Sequence, residues 1–370
     1  MQDENRDPDL GELTQSPPVV LPVETKVSPA SLKNYLSLLL ICIFYAIGWD
    51  LLLFHISQTN PDLDLYPLAT IYLYLRLFYL TACICLLPFI FLYFIAYSLK
   101  NYALRPFWRH FARAFRSQFL TRPQVYGALY MLLVIPLFFA FVGLYKQLIP
   151  IMNPFSWDQT LMHWDYVLHF HHQPWEWLQP LVGYRWITAF LAEIYGFWFT
   201  MLAGVIIWQA LTKERFYRLQ FFSTFFLSWI ILGTIMAYSF SSAGPCFYSL
   251  FSNDMQNPYA PLMSYLSANG PAWIIELQKS LLANLMSGTL IFGGGVSAMP
   301  SMHLSMATLC FLISAKESKW LGIFTFVILI LIFISSIHLG WHYAVDCYVA
   351  IIITALIWSA MGKILRRLQA

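Results

Sequence analysis

Two short stretches of the chain place ionisable side chains at the ends of apolar runs, where apolar residues would be cheaper. The first runs from Gly293 through Gly294, Gly295, Val296, Ser297, Ala298, Met299, Pro300, Ser301 and Met302 to His303. The second runs from Ser335 and Ser336 to His338, His342 and Asp346. On a helix, His342 and Asp346 are four residues apart and share a face. The carboxylate is then placed to accept the Nδ1 proton and to leave Nε2 free as a base or nucleophile. An aspartate at the centre of a membrane span costs about 2.5 to 3.5 kcal/mol on insertion scales, and less near an end; pairing with His342 supplies a reason for it. Helix N-termini carry unpaired N–H groups and the positive end of the helix dipole. Two such ends, one at His303 and one at His342, would suit a phosphate. Pro300 fits a first helical position, and Gly293, Gly294 and Gly295 offer further backbone donors to phosphoryl oxygens. A single histidine here would ordinarily be an interfacial residue bonded to a carbonyl. The coincidence of two histidines, a carboxylate, a Pro-Ser pair and glycines points to chemistry.

The elements that must hold these residues are membrane helices. Of 370 residues 59% are hydrophobic and 11% charged, against about 25% charged in soluble domains. Apolar stretches long enough to cross about 30 Å of hydrocarbon run approximately over Leu36–Ile56, Leu68–Leu99, Val125–Ile149, Trp186–Leu211, Leu219–Ser241, Ser301–Ala315, Trp320–His338 and Trp341–Ile364. The expected fold is therefore all-α and integral to the membrane, with about eight transmembrane helices. Lys100, Arg105, Arg109, Arg113, Arg116 and Arg122 lie between spans two and three, Lys213, Arg215 and Arg218 between four and five, Lys316 and Lys319 between six and seven, and Lys363, Arg366 and Arg367 after span eight. The alternate loops carry acids instead: Asp62, Asp64, Asp158, Asp165, Glu176, Asp254 and Glu276. Because Lys and Arg stay in cytoplasmic loops, both termini read as cytoplasmic, and His303 and His342 both fall at outer span ends.

The net charge of +3 excludes a nucleic-acid partner, since the basic residues form no stripe. Residues 1–34 are polar and lack a signal-peptide pattern, and are expected to be a disordered cytoplasmic leader. The six cysteines, Cys42, Cys83, Cys85, Cys246, Cys310 and Cys347, have no metal-ligand spacing and are assigned no chemistry. His169, His171 and His172, with His163 nearby, sit among outer-loop tryptophans, which reads as an interfacial belt more readily than as a metal site. Arg76 and Glu193 either pair with each other or line a headgroup pocket. In the long loop Ser242–Pro300, helical spacing over Pro271–Leu290 predicts a helix that lies in the interface or packs on the bundle.

The PSMH at Pro300–His303 and the HYAVD at His342–Asp346 resemble the second and third motifs of the type-2 phosphatidic acid phosphatase superfamily. Within it the pattern is most similar to inositol phosphorylceramide and sphingomyelin synthases, whose later motif reads His, Tyr, two residues, Asp. Ala243–Tyr248 resembles the proline-containing aromatic stretch before the histidine motifs in the phosphorylceramide branch. Two departures stand out. Ser336 occupies the place, six residues before the second histidine, where the phosphatase pattern has Arg. The first motif, Lys, six residues, Arg, Pro, is not found upstream of Pro300; Lys100–Pro106 is too short and lies on the cytoplasmic side. Fewer fixed cations favour a singly charged phosphodiester over a phosphomonoester, with Arg185 or Lys146 as possible substitutes.

The resemblance implies a six-helix core and a mechanism in which His342, oriented by Asp346, attacks phosphorus to give a phosphohistidine while His303 protonates the departing oxygen. Those roles then reverse for an incoming hydroxyl. The candidate catalytic residues are His303, His342 and Asp346. The candidate substrate contacts are Ser301, Gly294, Gly295, Ser336 and Arg185, although Ser301 is equally well explained as an ordinary helix-start serine. No metal or cofactor is expected. The implied partners are the bilayer, a phospholipid donor and a lipid hydroxyl acceptor. Alternatives are a lipid phosphatase acting on phosphatidate, a lysolipid phosphate or a polyprenyl pyrophosphate, and a non-catalytic lipid transporter. The expected organisation is 35–124 as two additional membrane helices with a basic cytoplasmic loop, 125–364 as the catalytic core and 365–370 as a cytoplasmic tail. A bacterial inner membrane, with the site on its extracytoplasmic side, is the expected location.

Overall fold

A computed structural model describes residues 40, 43–52, 54–55, 76, 80, 91, 94–95, 97–99, 107–119, 121–252, 256–287 and 294–369. The leader, most of the first two expected spans and Gly293 lie outside the described residues. Those described form helices and no strand. The principal helices are α1 (Phe107–Phe119), α2 (Arg122–Met152), α3 (Asp158–Leu168), α4 (Pro174–Val182), α5 (Arg185–Leu211), α6 (Arg215–Ile230), α7 (Ala260–Asn269), α8 (Ala272–Ser287), α9 (Met302–Glu317), α10 (Lys319–His338) and α11 (Ala344–Gln369). A π-helical turn, Ile231–Met236, and the short helix Ala237–Ser239 continue α6.

Five segments are long and apolar enough to cross a membrane: Leu133–Met152, Arg185–Leu211, Arg215–Ser239, Lys319–His338 and Ala344–Leu368. The chain is thus an all-α, multi-pass membrane protein. These five segments overlap five of the spans expected from hydropathy. The remaining expected span in this region is α9, with only 16 residues, and its shortness has a physical reason. From Ser301 to Ser314 no residue of this stretch is exposed, and Leu304, Met306, Ala307, Leu309 and Cys310 have no accessible surface at all. A helix encased by other helices does not have to match the lipid thickness, and it tolerates hydroxyls that find partners, as Ser305 does with Thr354 at 2.7 Å.

The core around α9 is built from large apolar side chains of α2, α5, α6, α10 and α11, among them Phe138, Leu202, Phe225, Phe226 and Ile332. Tyr45 and Trp49 join it, the Tyr45 ring lying 4.6 Å from that of Tyr145. Charge segregates along the bundle. Lys213 and Arg215 at the α5–α6 junction, Lys316 and Lys319 at the α9–α10 junction, and Arg366 near the end of α11 share one end, where the Arg366 guanidinium sits 5.9 Å from the Phe216 ring. Ser301, His338 and His342 lie at the other end. There α3, α4, α7 and α8 form a cap, in which α8 is the helix expected over Pro271–Leu290 and α7 precedes it. Ile274 of α8 is fully buried, and Gln278 Nε2 donates to the Leu339 carbonyl at 3.2 Å, so α8 packs on the bundle while Trp273 and Leu277 remain exposed.

Candidate active site

Three loops converge beneath the cap: 240–248, 294–301 and 339–343. Backbone bonds lace them together. Ala298 N–H donates to the Ser242 carbonyl at 2.9 Å, Cys246 N–H to the Gly340 carbonyl at 2.8 Å and Ser301 N–H to the Asp346 carbonyl at 3.3 Å. Gly244 and Gly340 have φ of +95° and +71°, a region that favours glycine. A Cβ at Gly244 would sit 2.7 Å from the Trp341 carbonyl oxygen.

His303 and His342 face one cavity of about 350 Å³, with ring centroids 6.0 Å apart. His303 lies against aromatic rings, 4.2 Å from Tyr195 and 4.4 Å from Trp198, and its Nδ1 is 3.1 Å from the Tyr195 hydroxyl. His342 departs from the i,i+4 picture. It precedes α11, which starts at Ala344, and its Nδ1 donates to the Ala298 carbonyl at 2.8 Å. Asp346 Oδ2 is farther away, at 3.6 Å, and accepts the Tyr343 N–H at 3.0 Å. A main-chain carbonyl therefore fixes the tautomer, leaving Nε2 unprotonated, as a nucleophile requires.

The other expected contacts divide. Gly294 and Gly295 line the cavity. Gly295, at φ +84°, also packs on α2, where a Cβ would lie 2.8 Å from the Lys146 carbonyl carbon. Ser301 is fully buried and caps α9, its Oγ accepting the Leu304 N–H. Pro300 consequently falls one residue before the cap instead of at the first helical position. Ser336 is fully buried as well, and its hydroxyl donates to the Ile332 carbonyl at 2.8 Å. Arg185 lies elsewhere, beside Asn269 and Glu276 in a separate shallow pocket. Glu193 accepts from the Trp273 indole at 3.1 Å. The outer-loop histidines have separate partners: His169 Nε2 meets the Tyr348 hydroxyl at 2.9 Å and His172 pairs with Glu176 at 3.0 Å.

Lys146 lines the cavity instead. Among the described residues lining the cavity it is the one lysine, arginine, aspartate or glutamate. Its sequence signal is a degraded first motif: Lys146, six residues, then Asn153 and Pro154, which keeps the Lys and Pro and replaces Arg by Asn. Asn153 Nδ2 donates to the Tyr238 carbonyl at 2.7 Å.

Asp158 and Asp165 of α3, expected only to mark an outer loop, fasten the site. Asp158 accepts the N–H groups of Ala243 and Gly244, both at 2.8 Å, and the Tyr343 hydroxyl at 2.7 Å. Asp165 accepts Ala344 N–H at 2.7 Å and Val345 N–H at 2.9 Å, capping α11. Burial pushes the Asp165 carboxyl up to about 7 against the opposing effect of those donors. Seven residues apart, the two acids lie on one helical face.

No curated protein and no solved structure gives a significant match to the chain. A PAP2 superfamily profile matches residues 159–360. That match covers more than half of the sequence and includes His303, His342 and Asp346, so the chain belongs to the PAP2 superfamily.

Proposed function

We propose that the protein is a lipid phosphotransferase of the inositol phosphorylceramide synthase type, which moves a phosphoryl headgroup from a phospholipid to a lipid hydroxyl. Superfamily membership supports lipid phosphatase or phosphotransferase chemistry at large. The observation that carries the finer reading is the pair of histidines 6.0 Å apart across a cavity that has Lys146 as the one lysine, arginine or acid among the described residues lining it. His342 Nε2 attacks phosphorus, and the bond from phosphorus to the donor's lipid oxygen breaks. Protonated His303, whose Nδ1–H donates to the Tyr195 hydroxyl, delivers its Nε2 proton to that oxygen and is left as the neutral base. The acceptor hydroxyl then gives its proton to His303 and displaces His342 from phosphorus. Asp346 holds the Tyr343 N–H beside the nucleophile, and Lys146 offsets the phosphoryl charge. Gly294 and Gly295 lie near enough to contribute backbone donors.

One retained lysine, with Asn153 and Ser336 in place of arginines, supports a singly charged phosphodiester donor, because a phosphomonoester approaches two negative charges. In the bilayer, the basic end of the bundle is assigned to the cytoplasm together with both termini, and the histidine end to the extracytoplasmic face, in a bacterial inner membrane. Residues 125–364 are assigned to the catalytic core and 35–124 to additional membrane helices.

The test is turnover of labelled phospholipids with ceramide or diacylglycerol acceptors in mixed micelles. A new phosphorylated lipid is expected, absent with His342→Ala and reduced roughly 10²- to 10⁴-fold with His303→Ala. Release of free phosphate alone would replace this reading with a phosphatase, and lipid movement without turnover would replace it with a transporter.

A further inference from the structure

The cavity that holds the histidines continues past them into the bundle. On α2 it is walled by Phe139, Val142, Gly143 and Lys146, whose spacings of three, four and seven place them on one helical face. At 1.5 Å per residue this stripe runs roughly 10 Å from Lys146 toward the middle of α2. The facing wall is Trp229, Gly233 and Ala237, which straddle the π-helical turn Ile231–Met236. Such turns recur at functional sites because the extra residue per turn redirects the side chains that follow. Beyond Lys146 both of these walls are apolar or lack a side chain. Gly233 keeps the space open: a Cβ there would lie 3.0 Å from the Trp229 ring and 3.4 Å from Met302 Sδ.

We propose that this apolar limb binds a hydrocarbon chain of the lipid whose phosphate or hydroxyl is held between His303 and His342. The inference rests on the phosphoryl-transfer reading of the polar end and names what occupies the other end. A polar head with one charge, joined to an apolar slot of this length, matches a lipid and not a free phosphate or a soluble phosphoester. The slot acts by position. Lipid tails are as apolar as the protein side chains, so leaving the bilayer brings a chain little hydrophobic gain. Holding its first segment, however, fixes the reacting oxygen beside the histidines. The occupant is the chain of the phospholipid donor or that of the acceptor alcohol, and the experiment separates them.

The full chain, reconstituted in phosphatidylcholine nanodiscs, is irradiated with a phospholipid bearing a mid-chain diazirine, and separately with a diacylglycerol bearing the same group. Adducts are mapped by mass spectrometry. Adducts on Phe139, Val142, Trp229 or Ala237 are expected from at least one probe, and the probe that gives them identifies the donor or the acceptor as occupant. They should persist in His342→Ala, since binding does not require turnover, and fall roughly tenfold in Gly233→Leu or Ala237→Leu, where extra methylenes overfill the slot. Adducts confined to lipid-facing residues such as Leu133 and Ile235, 65% and 57% exposed, overturn the proposal even if Gly233→Leu does not fold, because wild-type labelling alone decides it. Slot adducts together with unchanged turnover in His342→Ala would keep the slot and remove the phosphohistidine reading.

Discussion

A main-chain acceptor and a carboxylate do different things to an imidazole, and His342 has the first at 2.8 Å and the second at 3.6 Å. The carbonyl of Ala298 fixes which nitrogen is protonated without adding a charge. Asp346 is left to brace the Tyr343 N–H from inside α11. That the two histidines and the aspartate would gather at one end of the bundle was readable from residue type and spacing, but which group the His342 Nδ1 would bond was not. The i,i+4 argument assumes continuous helix, and the chain is non-helical from Gly340, at φ +71°, to Tyr343. Lys146 stood in the sequence only as a substitute cation on a par with Arg185, because the motif that would single it out has lost its arginine. Its role can be measured. Lys146→Met is expected to lower kcat/KM on a phosphodiester lipid by about 10- to 100-fold, the worth of a hydrogen bond to a charged group. Asn153→Arg, at a half-buried position, is expected to raise the use of a phosphomonoester relative to the diester. Unchanged ratios in both variants would remove Lys146 from the substrate's charge balance.

At the scale of elements, α3 holds the site together without touching the cavity. Its two aspartates take four backbone N–H groups, two from the 240–248 loop and two from the start of α11, and α11 begins where Asp165 caps it. The sequence could not show this, since acids between spans read first as topology signals and the segments they fasten lie 85 and 180 residues away. Asp165 also makes stability depend on pH. Its carboxyl lies at about 7 in the folded protein against an ordinary 3.8, so the folded state binds this proton more tightly than the unfolded chain. The resulting stabilisation is full below 3.8 and is lost as pH rises through about 7. Asp165→Asn cannot ionise. The melting temperature of wild type minus that of Asp165→Asn, measured in detergent, is therefore expected to fall from pH 5 to pH 8. A flat difference would mean that Asp165 is already ionised at the lower pH.

At the scale of the whole molecule the apolar runs made most of the bundle legible, because lipid demands about 20 consecutive apolar residues from any helix it surrounds. The short α9 fits that rule only as an interior helix, which hydropathy does not distinguish from a broken span. The separation of charge between the two ends gives a direct test of orientation. A membrane-impermeant maleimide applied to intact cells is expected to label Phe170→Cys, at a position 83% exposed on the histidine end, and to leave Ser318→Cys, exposed at the α9–α10 junction, unlabelled until the membrane is opened. The opposite pattern would invert the protein in its membrane.

The encasement of α9 also bears on how the protein meets bilayers of different thickness. Helices that face lipid tilt or shift when the hydrocarbon is thinner or thicker than they are. The helix that carries His303 has no exposed residue between Ser301 and Ser314, only Met302, His303, Phe311 and Leu312 being partly accessible, and the loop ahead of it is bonded to the start of α11 through Ser301 and Asp346. Hydrophobic mismatch therefore reaches His303 mainly through its protein neighbours, so the spacing of the two histidines is set chiefly by the protein and depends little on the lipid composition around it.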